Sequence, residues 1–372
     1  MFTRYFAVWA LCMAFARPAL AAENRVVLNL DPDKEHPRNS EGSFVTLKSG
    51  QILFYYTQFY GGARDNSPAR IVSIASDDSG RTWSQPKVVI ENAGEENVMS
   101  VSLLRLKSGN IALFYLIKNS WLDCRPYIRF STDEAQTWSE AKLVVQAPGY
   151  FVLNNDRVIQ TSTGRLIMPL AFHRSRLSDP KSSRSFDARA IDVWYYSDDE
   201  GKTWSESDSW WALPAATRSG LQEPGVVELA DGTLFSWART DLGTQYGFTS
   251  KDGGKTWSAP EPTAMKSPVS PASIERLPGS ADLLALYNDH SGQFPYPAGK
   301  RTPLVAAISK DGGKTWPVRK LLEDDPDGWY CYTAIEFTKD NAVLLAYCAG
   351  DSKVGRLNRL RIRRVDLEWL KN

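Results

Sequence analysis

Six polar residues occupy one fixed place in a repeated segment of this chain, each nine positions ahead of a tight-turn residue. They are Glu41, Ser100, Asn155, Glu223, Ser270 and Tyr332, and the turn residue is Gly in five cases and Asn341 in the sixth. Two carboxyls and a phenol in such a set can exchange protons with a bound molecule. The start of a buried inner strand is ordinarily apolar, so polar residues at all six places describe the lining of a polar, solvent-filled funnel. The plainer alternative is that they cap strand ends.

The segments that carry them read as strands. Apolar runs with a tight turn between them start at Ser43, Ser102, Asp156, Pro224, Ala272 and Thr333, and none has a helical period. A second pattern, Ser-x-Asp-x-Gly-x-Thr-Trp, runs from Ser76 to Trp83, Ser131 to Trp138, Ser197 to Trp204, Ser250 to Trp257 and Ser309 to Trp316. Its recurrence every 53 to 66 residues is the mark of a repeat architecture and not of a metal site. Ser and Asp side chains can bond a turn's backbone, Gly supplies a positive φ, and Thr-Trp opens the returning strand with an apolar anchor. The second copy has Ala135 in place of Gly, which predicts a strained turn or one of another type.

Each unit is then a hairpin, a variable loop, a third strand, a box turn and a fourth strand. The expected fold is all-β, a six-bladed β-propeller of four-stranded antiparallel blades, with Arg25 to Leu30 joining the last blade. In an antiparallel meander the hairpin turns and box turns share one side. The six polar residues and the loops between second and third strands therefore form the opposite mouth.

Composition narrows the partners. Arg4, an apolar run from Tyr5 to Ala16 and the small-x-small Ala19-Leu20-Ala21 make residues 1–21 a cleavable signal peptide, leaving 22–372 as one domain that is exported to a periplasmic or secreted location. No later run approaches the roughly 20 apolar residues of a membrane span. Without Arg4 and Arg17 the basic and acidic side chains balance to within one, which argues against nucleic acid. Cys124, Cys331 and Cys348 remain, an odd number; Cys331 and Cys348 flank one hairpin and could pair or stay free.

The boxes resemble the Asp boxes of the sialidase superfamily, and the chain after residue 21 looks like a six-bladed exo-sialidase of the glycoside hydrolase family 33 kind. The resemblance implies roles residue by residue. Tyr332 is the nucleophile, Glu223 its base and Asp65 the acid/base on a loop. Arg239, Arg301 and Arg38 or Arg157 form a triad on the substrate carboxylate. The family's first arginine belongs in a Phe-Arg-Ile-Pro motif, where this chain reads Asn39-Ser40-Glu41-Gly42, so Arg38 lies two residues early and Arg157 is the alternative.

These residue types suit a sialic acid. Guanidinium groups bind its carboxylate bidentately, and a neutral phenol meets that anion without the repulsion a carboxylate nucleophile would suffer. A phenol pKa of about 10 makes ionisation at pH 7 cost about 4 kcal/mol, which transfer of the proton to Glu223 during attack would offset. The implied partner is a sialylated or other acidic glycan, bound by a monomer without a cofactor. The alternatives are a related enzyme for another acidic sugar and a non-catalytic glycan-binding propeller. The loop from Arg174 to Arg189 carries five basic residues and could attract an anionic glycan or simply be solvated. His173, Phe294, Tyr296, Trp329 and Tyr330 are candidate stacking rings.

Overall fold

The computed structural model describes residues 23–213 and 216–371; the expected signal segment, 1–21, lies outside the described residues. Antiparallel strands dominate. The first sheet runs Arg38–Thr46, Ile52–Phe59, Ala69–Ser76 and Lys87–Ile90 in chain order. Two further four-stranded meanders begin at Gln222–Glu228 and Ser273–Arg276. In the last sheet Asn24–Leu30 pairs with Leu360–Asp366, outside Ala342–Gly350 and Trp329–Phe337, as expected for the N-terminal strand.

One expectation is corrected. Six separate four-stranded sheets were expected, and the structure has five, of which one holds nine strands. The cause is the short strand Tyr150–Val152. The third unit's inner strand, Ile159–Gln160, is too short to cover Leu166–His173, so the far end of that longer strand would be left with unpaired backbone groups. Tyr150–Val152 takes them, pairing Tyr150 with His173 and Val152 with Ala171, while Tyr150 also pairs with Cys124 of the preceding unit.

The boxes are turns, as their composition predicts. In the first, the Ser76 hydroxyl donates to Asp78 at 2.8 Å and accepts the Gly80 N–H at 2.9 Å, while Asp78 accepts both the Thr82 N–H and its hydroxyl. Ala135 keeps the same geometry at φ 65°, the strained option. Hairpin turns and boxes do lie on one side: the Lys48 N–H bonds Glu134 and the Ser108 N–H bonds Glu200, each in the next unit's box.

The box tryptophans join units. Trp138 packs on Tyr55 at 6.0 Å, Trp204 on Phe114 at 6.0 Å and Trp257 on Trp194 at 4.6 Å, in each case a ring of the preceding unit. The apolar clusters follow the same rule. One joins the first and second units (Val45, Tyr55, Val98, Leu113), and others continue pairwise along the chain. A further cluster joins Phe44 and Phe54 of the first unit to Leu344 and Ile362 of the last.

Candidate active site

The polar residues found by counting sit on bulges. The inner-strand registers shift between Ser40 and Gly42, Met99 and Ser102, Gln222 and Gly225, and Cys331 and Ala334. At those shifts Glu41, Ser100, Glu223 and Tyr332 take left-handed φ angles of 47°, 60°, 51° and 61°. Such angles are uncommon outside glycine and cost about 1–3 kcal/mol each, and bulges re-aim a side chain out of the sheet pattern. All four residues line one cavity of about 220 Å³. In the third unit Asp156, not Asn155, has the positive φ, and the Asn155 side chain instead donates to the Gly42 and Tyr332 carbonyls. Ser270 has no such φ and does not line this cavity.

Tyr332 and Glu223 meet directly. The phenol donates to Glu223 Oε1 at 3.1 Å, and Glu223 Oε2 lies 3.1 Å from Arg239 Nε. The Arg239 Nε–H itself points to Gln222 Oε1 at 3.0 Å, with Nη2 on the same oxygen at 2.6 Å, so its contact with Glu223 is coulombic. Gln222 is anchored in turn on the Ala188 carbonyl at 2.6 Å. Burial, and next the Glu223 charge, push the Tyr332 phenol well above its usual range against the opposing pull of Arg239 and Arg301. The phenol is therefore protonated at neutral pH, with a carboxylate in place to receive its proton.

The second group centres on Arg38, whose side chain is 1% exposed. Its Nη1 donates to Asp65 Oδ1 at 2.5 Å, and its Nη2 to Glu41 Oε1 at 3.1 Å and to the Ser40 hydroxyl at 3.2 Å. Glu41 also accepts the Ser100 hydroxyl at 2.6 Å. Although burial opposes it, the Arg38 guanidinium holds the Asp65 carboxyl below the usual range, with help from Lys118 and Arg239. Asp65 lines the same cavity as Tyr332 and Glu223. Its loop is fastened from below: Lys118 Nζ donates to the Asp65 carbonyl at 3.2 Å and Asn97 Nδ2 does so at 2.8 Å. Lys118, fully buried, pairs with Glu96 at 3.3 Å and lies under the Trp121 ring.

Arg301 completes the cationic set, its guanidinium 5.4 Å from the Trp329 ring and 5.5 Å from that of Tyr332, with Nη2 on the Val269 carbonyl. Arg38 Nε, Arg239 Nη1 and Arg301 Nη1 are each buried without a hydrogen-bond partner. Arg239 lines the cavity, Arg301 stands over the Tyr332 ring and Arg38 is bonded to Asp65, and unspent N–H groups on such cations can receive an anion. Arg157 Nε is likewise buried without a partner, but Arg157 does not line this cavity. It donates to the Ala272 carbonyl and the Ser273 hydroxyl and lines a separate cavity of about 500 Å³ with Asp156, Glu275 and Glu336. Arg157 thus lines a different cavity from Tyr332, whereas Arg38 is hydrogen-bonded to Asp65, which lines the Tyr332 cavity.

Other expected contacts divide. His173 does line the cavity, stacked on Phe186 at 4.4 Å with Nδ1 toward the Asp187 carbonyl at 2.8 Å, and burial lowers its pKa to about 4, so it is neutral. Trp329 borders Arg301. Tyr330 is buried in the core, Phe294 packs on a core cluster, and Tyr296 stacks on His290 at 4.0 Å. Cys331 and Cys348 face each other across adjacent strands, but both are free thiols, as is Cys124. Sequence reasoning missed Lys118, Gln222 and the role of Glu41 in holding Arg38. A lysine ending the apolar strand Ile111–Ser120 was the one signal for Lys118.

Comparison with known proteins gives a consistent picture. A family model described as a BNR repeat-like domain matches residues 55–345. A sialidase of Bacteroides fragilis (strain YCH46) is 27% identical over 325 residues, covering 77% of this chain and 55% of the relative. A sialidase of Micromonospora viridifaciens is 24% identical over 367 residues, covering 88% and 51%. The chain thus spans about half the length of the curated relatives it matches. Among solved structures, the Hadza microbial sialidase Hz136 superposes with a TM-score of 0.70 at 20% identity, over 90% of this chain and 67% of that one, a likeness of fold.

Proposed function

The chain belongs to the BNR repeat-like domain family, and on that premise we propose that it is an exported exo-α-sialidase, a monomeric six-bladed β-propeller that hydrolyses terminal sialic acid from glycans with retention. Six apolar clusters, each between neighbouring units and one between the last and the first, support the closed six-bladed ring. The sialidase relatives support the substrate class. The observation that carries the chemistry is the Tyr332–Glu223 hydrogen bond in a cavity that Asp65 and Arg239 also line, with Arg301 over the Tyr332 ring and Arg38 bonded to Asp65.

The steps follow from those groups. Arg38, Arg239 and Arg301 hold the sugar carboxylate and so fix the anomeric carbon over Tyr332. Asp65 gives its proton to the glycosidic oxygen as the carbon–oxygen bond breaks. Tyr332 Oη bonds the anomeric carbon while its proton passes to Glu223, leaving a tyrosyl-enzyme intermediate. The leaving group departs, and the Asp65 carboxylate takes a proton from a water that attacks the same carbon. The carbon–tyrosyl bond then breaks and Glu223 returns its proton to the phenol. Two displacements at one carbon restore its configuration.

The test is release of sialic acid from 3′-sialyllactose by wild type and Tyr332→Phe, with proton NMR of the anomer first formed. The proposal requires the α-anomer from wild type and no release by the variant. No release by wild type would leave a glycan-binding propeller or an enzyme for another acidic sugar. Equal release by both would remove Tyr332 as nucleophile.

A further inference from the structure

We propose that the groove outside Asp65 is a leaving-group subsite that takes a sugar bearing an anionic substituent; this rests on the assignment of Asp65 as the acid. Asp65 is shared by two concavities, the inner pocket with Tyr332 and an outer groove of about 540 Å³. An acid that protonates the glycosidic oxygen stands between the sugar being cleaved and the group that leaves. The inner pocket holds the first, so the outer groove receives the second.

Its walls state what that second group is. Beside Asp65 and Arg38, whose charge Asp65 and Glu41 already take up, the groove is lined by Arg64, Asn66, Trp121, Lys181 and Ser183. Trp121 is half-buried, with Lys118 Nζ 4.4 Å from its centroid on one side and Phe186 at 5.7 Å, so the ring is fixed before a sugar arrives. The Trp121 N–H also bonds the Pro180 carbonyl at 3.1 Å, which brings the loop carrying Lys181 and Ser183 to the groove.

Two exposed cations of the groove are uncommitted. Arg174 and Arg176 of that loop are both taken up by Asp187, and Arg38 by Asp65 and Glu41. Arg64 and Lys181 form no ion pair among the described residues, and both are exposed. Asp179, two residues before Lys181, is turned to the loop's own backbone, accepting the Lys181 N–H at 3.0 Å. Two uncommitted cations beside an aromatic wall suit a pyranose with a sulfate or a carboxylate and give a neutral sugar nothing to pair with them.

Three matched substrates test this: 3′-sialyllactose with its galactose 6-hydroxyl free, sulfated, or oxidised to a carboxylate. Wild type is expected to cleave at least one anionic form with kcat/KM about fivefold above the neutral one at low salt, the scale of an exposed charge pair. The faster anionic arm names the substituent. The preference should fall to near one in Arg64→Ala/Lys181→Ala and in 0.5 M salt, and Lys181→Arg should retain it. Cleavage of 4-methylumbelliferyl sialoside, whose leaving group is uncharged, should be unchanged in the double variant and reports its folding. No anionic preference in wild type, or a preference that survives in the double variant, would overturn the subsite. Failure of wild type to cleave any of the four would instead refute the sialidase assignment and the subsite with it.

Discussion

Replacing Asp65, the proposed acid, should tighten binding of an anionic ligand. In the ligand-free site Asp65 already occupies Arg38, one of the three groups assigned to the substrate carboxylate, at 2.5 Å. An incoming carboxylate must displace Asp65 or crowd a third anion around Arg38 and Glu41. A charged hydrogen bond contributes about 1.5–3 kcal/mol when shielded, but the Asp65 side chain is 62% exposed, and screening reduces the pair to about 1 kcal/mol. Asp65→Asn removes that competition and keeps the shape. The unsaturated analogue 2,3-didehydro-N-acetylneuraminic acid, which is not hydrolysed, should then bind about fivefold more tightly by calorimetry at pH 7. Hydrolysis of 3′-sialyllactose by the same variant should fall about 10²–10⁴-fold. The exchange has a second consequence: a ligand carboxylate on Arg38 withdraws the charge that holds Asp65 low, so substrate binding itself raises Asp65 toward the protonated form it needs. Equal or weaker binding of the analogue by Asp65→Asn would refute the competition and leave Asp65 as a structural partner of Arg38.

Three further outcomes follow from the geometry. Lys118→Met frees the Asp65 carbonyl and should lower kcat about tenfold with little change in KM, since the arginines are untouched; the expected sign of a positioning role is that a 4-methylumbelliferyl leaving group, which needs less protonation, loses less. Trp316→Ala empties a fully buried site between the fourth and fifth units and should cost about 3–5 kcal/mol in urea denaturation without changing KM. The box carboxylates set an acid limit. Hydrogen bonds from Thr137 lower Asp133 to about 2, and Asp78 and Asp311 reach about 2 because their turn hydrogen bonds overcome burial. Their folded pKa values lie below the unfolded 3.8, so their contribution is present above about pH 4 and is lost as pH falls toward 2. The urea midpoint should therefore drop as pH falls from about 4 toward 2, and Thr137→Val should flatten the part due to Asp133.

How much of this was legible depends on which residues are tied to a fixed length of strand. Glu223 and Tyr332 could be found by counting because the hairpin from bulge to turn has one length in the first, second, fourth and last units. The count slips by one in the third, where the inner strand shrinks to Ile159–Gln160 and Asp156 takes the left-handed angle. The same shortening hid the nine-stranded sheet, since Tyr150–Val152, between Pro148-Gly149 and Asn154-Asn155, reads as a linker until an unpaired strand end requires it. Arg38 was reachable because the family register failed at Ser40 and a cation stood two residues away. Lys118 was not, because a lysine closing an apolar run ordinarily reaches water, and only the fold puts Glu96 and the Asp65 carbonyl around it. The left-handed angles were invisible for a deeper reason. Local propensity argues against them at Glu41, Ser100, Glu223 and Tyr332, at about 1–3 kcal/mol apiece, so they persist only because long-range packing holds them. At Tyr332 that packing is Cys331, Cys348, Trp329 and Leu357. The strain that aims Tyr332 at Glu223 is therefore held within its own sheet, where Cys331 beside it pairs with Cys348 of the adjacent strand.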